Sequence, residues 1–321
     1  MAEQSNWSTQ AEGGTPFAMR LLRWLALNVP RQVVSAVLWC VSLWFISQRT
    51  RPTTRAARNY LTRLNGTPPD QATLHRHALN FAEVAMDRPR LLRLGMAGAD
   101  IQVRNSKPVH MALAEGRGGI LLGAHFGSFE ALRAFDRMLP GLNVRYLMFA
   151  EHAEASTRLL GELNPEVEAR VIPLTDGPSA MLGVFDALMQ GDFVAFLGDR
   201  QPDEALGDGI ELEFLGAPIR VPTSPYVTAM AAKVPLILCF APRLPSGRYL
   251  IEFLMLYDGA PVPRHQRDAK CRELAERYVE HLEDLCRRHP DNWFNFFDIW
   301  RDGMHDADPQ WDRDRHIARE A

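Results

Sequence analysis

The chain of 321 residues is poor in cysteine. Cys40, Cys239, Cys271 and Cys286 show no CxxC or zinc-type spacing, which argues against a disulfide framework and a structural metal and leaves reduced thiols as the expectation. No Gly/Ser-rich linker, internal repeat or low-complexity stretch interrupts it. The first residues, up to about Gly14, lack a positive n-region and a small-residue cleavage site, so no secretory signal peptide is expected. A formal net charge of −3 gives no global preference for nucleic acid or anionic surfaces. With 46% apolar residues the chain has material for a sizeable core.

One absence is local. Between Phe17 and Asn65 there is no acidic residue, while eight arginines (Arg20, Arg23, Arg31, Arg49, Arg51, Arg55, Arg58, Arg63) fall there. Inside that stretch Val33 to Ile46 reads VVSAVLWCVSLWFI, uncharged but short of the roughly 20 apolar residues of a spanning helix. Phe17 to Val29 reads as a second helical stretch, separated by Pro30. Arginines at both ends and Trp24, Trp39 and Trp44 suit helices that dip into one leaflet. Anionic lipid attracts such a run by about 1 kcal/mol per charge near the surface. The alternative is a buried helical hairpin packed on the core.

Beyond this front end, strands and helices alternate. Helices are expected over 55–64, 70–86 (with Asp70 as N-cap), 109–115, 128–138, 153–163, 179–189, 222–232 and 267–288. Strands are expected over 119–123, 144–149, 170–173, 192–197, 236–240 and 249–254. Alternation of this kind predicts an α/β fold, a mostly parallel or mixed sheet flanked by helices. The expected organisation is a polar tail with membrane-associated helices over 1–50 and one α/β domain over 51–321.

Two strand ends carry chemistry. GAHFGSFE (123–130) places His125 just beyond the glycine-bounded apolar run 119–123, with Glu130 five positions later. On one continuous helix these side chains would sit about 140° apart and not meet. With His125 in the loop, Gly127 permitting a tight turn, Ser128 as N-cap and Glu130 in the first helical turn, the carboxylate can hold one imidazole nitrogen. The other nitrogen is then free to take a proton from an acceptor. A structural histidine beside a helix-capping acid is the rival reading. Asp199 and Arg200 follow a second apolar run, and ends of parallel strands converge, which would bring them near His125. Arg200 suits a phosphate or carboxylate; a salt bridge between neighbouring elements is the alternative.

In order along nearly the whole chain, these features resemble the lipid A biosynthesis acyltransferase family of the lysophospholipid acyltransferase superfamily. The resemblance rests on the short N-terminal apolar helix, the H-x4-E block His125 to Glu130, Asp199-Arg200-Gln201, Phe214-Leu215-Gly216-Ala217-Pro218, Val221-Pro222-Thr223-Ser224-Pro225 and the long helix before Pro290-Asp291-Asn292-Trp293. It implies a glycerolphosphate-acyltransferase-like fold at the cytoplasmic face of a bacterial inner membrane. It also implies transfer of a fatty acyl group (EC 2.3.1) from an acyl carrier protein or coenzyme A thioester to a lipid or glycolipid hydroxyl. By position, His125 resembles the general base and Glu130 its orienting carboxylate; Asp199, Arg200 and Arg158 resemble substrate-binding residues. The thioester is a co-substrate, and neither cofactor nor metal is implied.

The sequence departs from the family where Trp293-Phe294-Asn295-Phe296-Phe297-Asp298-Ile299-Trp300 replaces a basic Trp-x-His-Arg-Arg stretch. This resembles a side branch associated with aryl polyene or other specialised lipid pathways, and puts lipid A as acceptor in question. The rival classes are a lipid esterase or thioesterase and a membrane scaffold in which the His–Glu pair is structural. Ser128 lacks the GxSxG elbow of serine hydrolases.

Overall fold

The structure, a computed structural model, describes residues 23–48, 51–136, 139–149, 169–174, 178–200 and 209–300. The helix expected over 153–163, with Arg158, lies outside them.

The helices are α1 (Arg31–Ser47), α2 (Pro52–Asn65), α3 (Gln71–Leu94), α4 (Lys107–Ala114), α5 (Phe129–Asp136), α6 (Pro178–Met189), α7 (Ser224–Ala232) and α8 (Arg267–Arg288). The strands are β1 (Ile101–Arg104), β2 (Gly119–Gly123), β3 (Val144–Phe149), β4 (Val171–Leu174), β5 (Phe193–Leu197), β6 (Gly209–Phe214), β7 (Ala217–Pro222), β8 (Leu236–Phe240) and β9 (Tyr249–Tyr257). Seven strands form one sheet in the order β1-β9-β8-β2-β5-β3-β4, and β6 pairs with β7 in a separate hairpin. Every pairing in the large sheet is parallel except β8 with β9. The expected mixed, mostly parallel sheet is therefore present. β1 and the β6–β7 hairpin were not anticipated.

β2 (GILLG) and β8 (LILCF) are buried along their whole length because helices cover both faces. The pleat sorts their side chains: Ile120, Leu122, Leu236 and Leu238 join the core under α2, α6, α7 and α8, whereas Leu121, Ile237 and Cys239 join the core under α3, α4 and α5. Asp70 caps α3 as expected, its Oδ1 accepting from Thr73 N at 2.8 Å, an interaction worth about 1 kcal/mol. α3 runs on through Pro89 to Leu94, eight residues past the expected end, because tertiary contacts bury Pro89, Leu91 and Leu92.

α1 lies along α3. Val34, Ser42 and Ile46 are buried, and Arg31 binds Asp87 at 3.0 Å. The rest of its surface is apolar and open: Val33, Val37, Trp39, Val41, Leu43 and Trp44 are exposed. Among the described residues no single helix is long and apolar enough to cross a membrane, and α1 is bent by 91° from α2.

Candidate active site

β2 and β5 are adjacent and parallel, with Gly123 opposite Leu197. His125 and Asp199 each lie two residues beyond those ends, so the register sets them side by side. The imidazole Nδ1 is 3.0 Å from Asp199 Oδ1, and the backbone N–H of His125 donates to Asp199 Oδ2, also at 3.0 Å. A third donor, the indole Nε1–H of Trp293, reaches Oδ2 at 3.1 Å.

Burial by itself would raise the Asp199 carboxyl. The attraction and hydrogen bond of His125, followed by the Arg200 charge and the His125 amide, outweigh it and bring the group down to about 2. The carboxylate is thus an acceptor only, and Nδ1 must carry the shared hydrogen. Nε2 is left with its lone pair. The imidazole itself is lowered below 6.5, first by burial and then by Arg200, against the opposing pull of Asp199. It is therefore neutral near pH 7. Its side chain keeps 31% of its surface open, whereas that of Asp199 keeps none. A neutral, oriented base at an accessible strand end is fit to remove a proton.

Close packing and hydrogen bonds fix the loop that presents the ring. Gly127 has φ +69°, and an added Cβ would fall 1.9 Å from Ala241 O, so only glycine fits. Gly127 N donates to Asn292 O at 2.9 Å and Ser128 N to Ala241 O at 2.9 Å. Ser128 Oγ accepts from Ala131 N at 3.2 Å, the N-cap bond expected of it. On the far side of the strand end, Tyr278 Oη donates to Gly123 O at 3.0 Å.

Glu130 does not hold the imidazole. It sits in the first turn of α5 as anticipated, but that turn faces α3: Oε1 accepts from Arg88 Nε at 2.8 Å and lies 3.9 Å from Arg133. Burial pushes its carboxyl up, and Arg88 and Arg133 more than offset this, leaving it ionised. The carboxylate that orients His125 is Asp199, which the sequence reading had placed in the substrate wall. The reason is geometric. A helix's first turn is directed by the packing of its own buried face, whereas a strand neighbour is directed by sheet register.

Arg200 lies beside this pair. Its Nη2 donates to Phe294 O at 3.2 Å, its guanidinium stacks 4.9 Å from the Phe297 ring, and its buried Nε has no hydrogen-bond partner among the described residues. Burial lowers its pKa, against the attraction of Asp199. Asn295, also buried, has no hydrogen-bond partner for either amide atom among the described residues. The sequence reading missed Asn295, and no sequence signal marks it. Trp293 stands in the sequence as the end of the Pro-x-x-Trp motif and the start of the aromatic stretch, with nothing there to mark it as a partner of Asp199.

The aromatic stretch 293–300 is largely occupied with packing. Trp293 lies 4.9 Å from Tyr60 and 5.2 Å from Phe214, Trp300 stacks on Phe214 and donates to its carbonyl at 3.0 Å, and Phe294 and Phe296 flank Phe81. Its composition therefore carries no argument for an aromatic or polyene ligand.

None of the curated proteins compared with the chain matches it. The sequence model of the bacterial lipid A biosynthesis acyltransferase family matches residues 28–302, from just before α1 to just past Trp300. That span contains the whole sheet and every residue of the site just described, and the chain belongs to this family of acyltransferases.

Proposed function

We propose that the protein transfers a fatty acyl group from an acyl carrier protein or coenzyme A thioester to the hydroxyl of a membrane lipid, with His125 as general base and Asp199 as its orienting carboxylate. The observation that carries this reading is the 3.0 Å contact between His125 Nδ1 and Asp199 Oδ1 at two converging strand ends, which leaves Nε2 unprotonated. Nε2 takes the acceptor hydroxyl proton, the alkoxide attacks the thioester carbonyl, and the thiolate leaves with that proton returned to it. No acyl-enzyme is required.

The developing oxyanion needs a donor. The amides of Gly127, Ser128 and Ala131 are already committed to Asn292, Ala241 and Ser128 Oγ. Arg200, next to the His125–Asp199 pair and with a buried Nε that has no hydrogen-bond partner among the described residues, and the first-turn amide of Phe129 are candidates to meet the carbonyl or the acceptor. Glu130 contributes by anchoring α5 to α3 through Arg88.

The exposed apolar surface of α1, flanked by arginines, supports docking onto an anionic leaflet at the cytoplasmic face. An exposed apolar surface of this extent is an interaction site by default. Arg51 stacks over the Trp44 ring at 5.1 Å, joining the cationic and interfacial groups in one contact.

The test is His125→Ala in purified protein, given a long-chain acyl-coenzyme A and a membrane lipid extract. Transfer should disappear while fold and vesicle binding persist. Retained transfer removes the mechanism. Release of free fatty acid from the donor at the same rate without acceptor would make the protein a hydrolase instead.

A further inference from the structure

Asp199 Oδ2 accepts from the His125 amide, and it is also the acceptor of the indole Nε1–H of Trp293. We propose that Trp293 is a positioning residue for the proton-transfer pair: its indole N–H fixes the rotation of the Asp199 carboxylate so that Oδ1 stays aimed at His125 Nδ1. This rests on the reading of His125 as a base, and adds to it a member that touches neither substrate nor reacting atom.

The indole cannot turn away. Its ring is fully buried between Tyr60, Phe214 and Trp300 at centroid distances of 4.9, 5.2 and 5.8 Å. Its backbone is held on each side by the loop it serves: Asn292 O accepts the Gly127 N–H, and Phe294 N–H donates to His125 O at 2.7 Å. Trp293 O is the acceptor for His77 Nε2 at 3.0 Å. Asn292 clamps the same segment to the Arg243 backbone with Oδ1 at 2.7 Å and Nδ2 at 3.0 Å. Residues 292–294 thus form a strap that sets the histidine loop and the aspartate together.

An indole suits this task chemically. It is a donor only, it does not titrate, and it brings no charge to a site where Asp199 and Arg200 already face the imidazole. By sharing the carboxylate's charge it also moderates how strongly Asp199 favours the imidazolium. Without the indole N–H, Oδ2 keeps one donor. The carboxylate then concentrates more of its charge on the imidazolium, which raises the His125 midpoint, while its aim at Nδ1 is no longer fixed, which slows proton transfer.

The experiment uses the full chain labelled at histidine with nitrogen-15. His125 is assigned by its loss in His125→Ala, and its titration is followed by NMR in the parent, Trp293→Phe, Asp199→Asn and the double variant. Trp293→Phe should move the His125 midpoint to higher pH. It should lower kcat about ten- to a hundred-fold with KM unchanged, as expected for one hydrogen bond to a charged group. In the Asp199→Asn background the same change should shift His125 no further. Should Trp293→Phe fail to fold, β-(3-benzothienyl)alanine at position 293 keeps the ring shape and removes only the N–H. A His125 midpoint that is unmoved or moves to lower pH, or an equal shift with and without the Asp199 carboxylate, overturns the proposal and leaves Trp293 a packing residue. Transfer persisting in His125→Ala would instead defeat the mechanistic reading, while the titration still decides whether Trp293 acts through Asp199.

Discussion

Asp199→Asn should disable the proton acceptor by forcing the wrong tautomer. Oδ2 of Asp199 receives two N–H donors, from His125 N at 3.0 Å and Trp293 Nε1 at 3.1 Å. An amide in the same place must turn its oxygen to those donors, because its NH2 group would oppose them. The NH2 then faces Nδ1, which can only accept, so the imidazole hydrogen moves to Nε2. The nitrogen needed as a base loses its lone pair. General-base catalysis is worth about 10² to 10⁴ in rate, and a loss at the upper end corresponds to about 5.5 kcal/mol. Glu130→Gln is the control. It weakens a contact to Arg88, whose side chain is 48% exposed, and should cost about 1–2 kcal/mol of stability while leaving most of the transfer rate. Initial rates of thiol release with lipid acceptor present, alongside denaturant titrations and the nitrogen-15 shifts of His125, separate the two variants. Full activity in Asp199→Asn, or abolition in Glu130→Gln with unchanged stability, would refute the assignment and return the orienting role to Glu130.

Three further outcomes are expected. Gly127→Ala should destabilise the fold by about 1–2 kcal/mol from its left-handed φ alone, and by more through the clash with Ala241 O, and a denaturation midpoint matching the parent would contradict this. His77 and His125 both have folded values below 6.5, chiefly through burial. The unfolded chain therefore binds more protons just below that pH, and stability present at neutral pH should fall as the pH drops from about 7.5 to 5.5. Equal unfolding free energies at the two pH values would count against neutral rings at both positions in the folded chain. Trp39→Glu with Trp44→Glu, both on the exposed surface of α1, should abolish flotation with phosphatidylglycerol vesicles at an unchanged melting temperature; undiminished flotation would place the lipid contact elsewhere.

The sequence by itself was enough for the periodic elements and for the histidine at the end of β2. The apolar runs of β2, β5 and β8, the Asp70 and Ser128 caps and the whole span of α8 follow from local pattern and capping chemistry. The glycine-bounded strand end singled out His125. β1, only four residues long, carried too little local pattern to be seen, whereas the β6–β7 hairpin was legible in the alternation Ile210-Glu211-Leu212-Glu213-Phe214 before the Leu215-Gly216 turn, although it was not anticipated. The partner of His125 was decided by tertiary structure. Spacing along the chain favoured Glu130, five residues away, but the parallel pairing of Gly123 with Leu197 set Asp199 against the ring from 74 positions further on. Chain distance limits only what a single segment can bring together. Sheet register and the packing of α5 on α3 determine which carboxylate arrives, and the donors from Trp293 and the His125 amide hold it there.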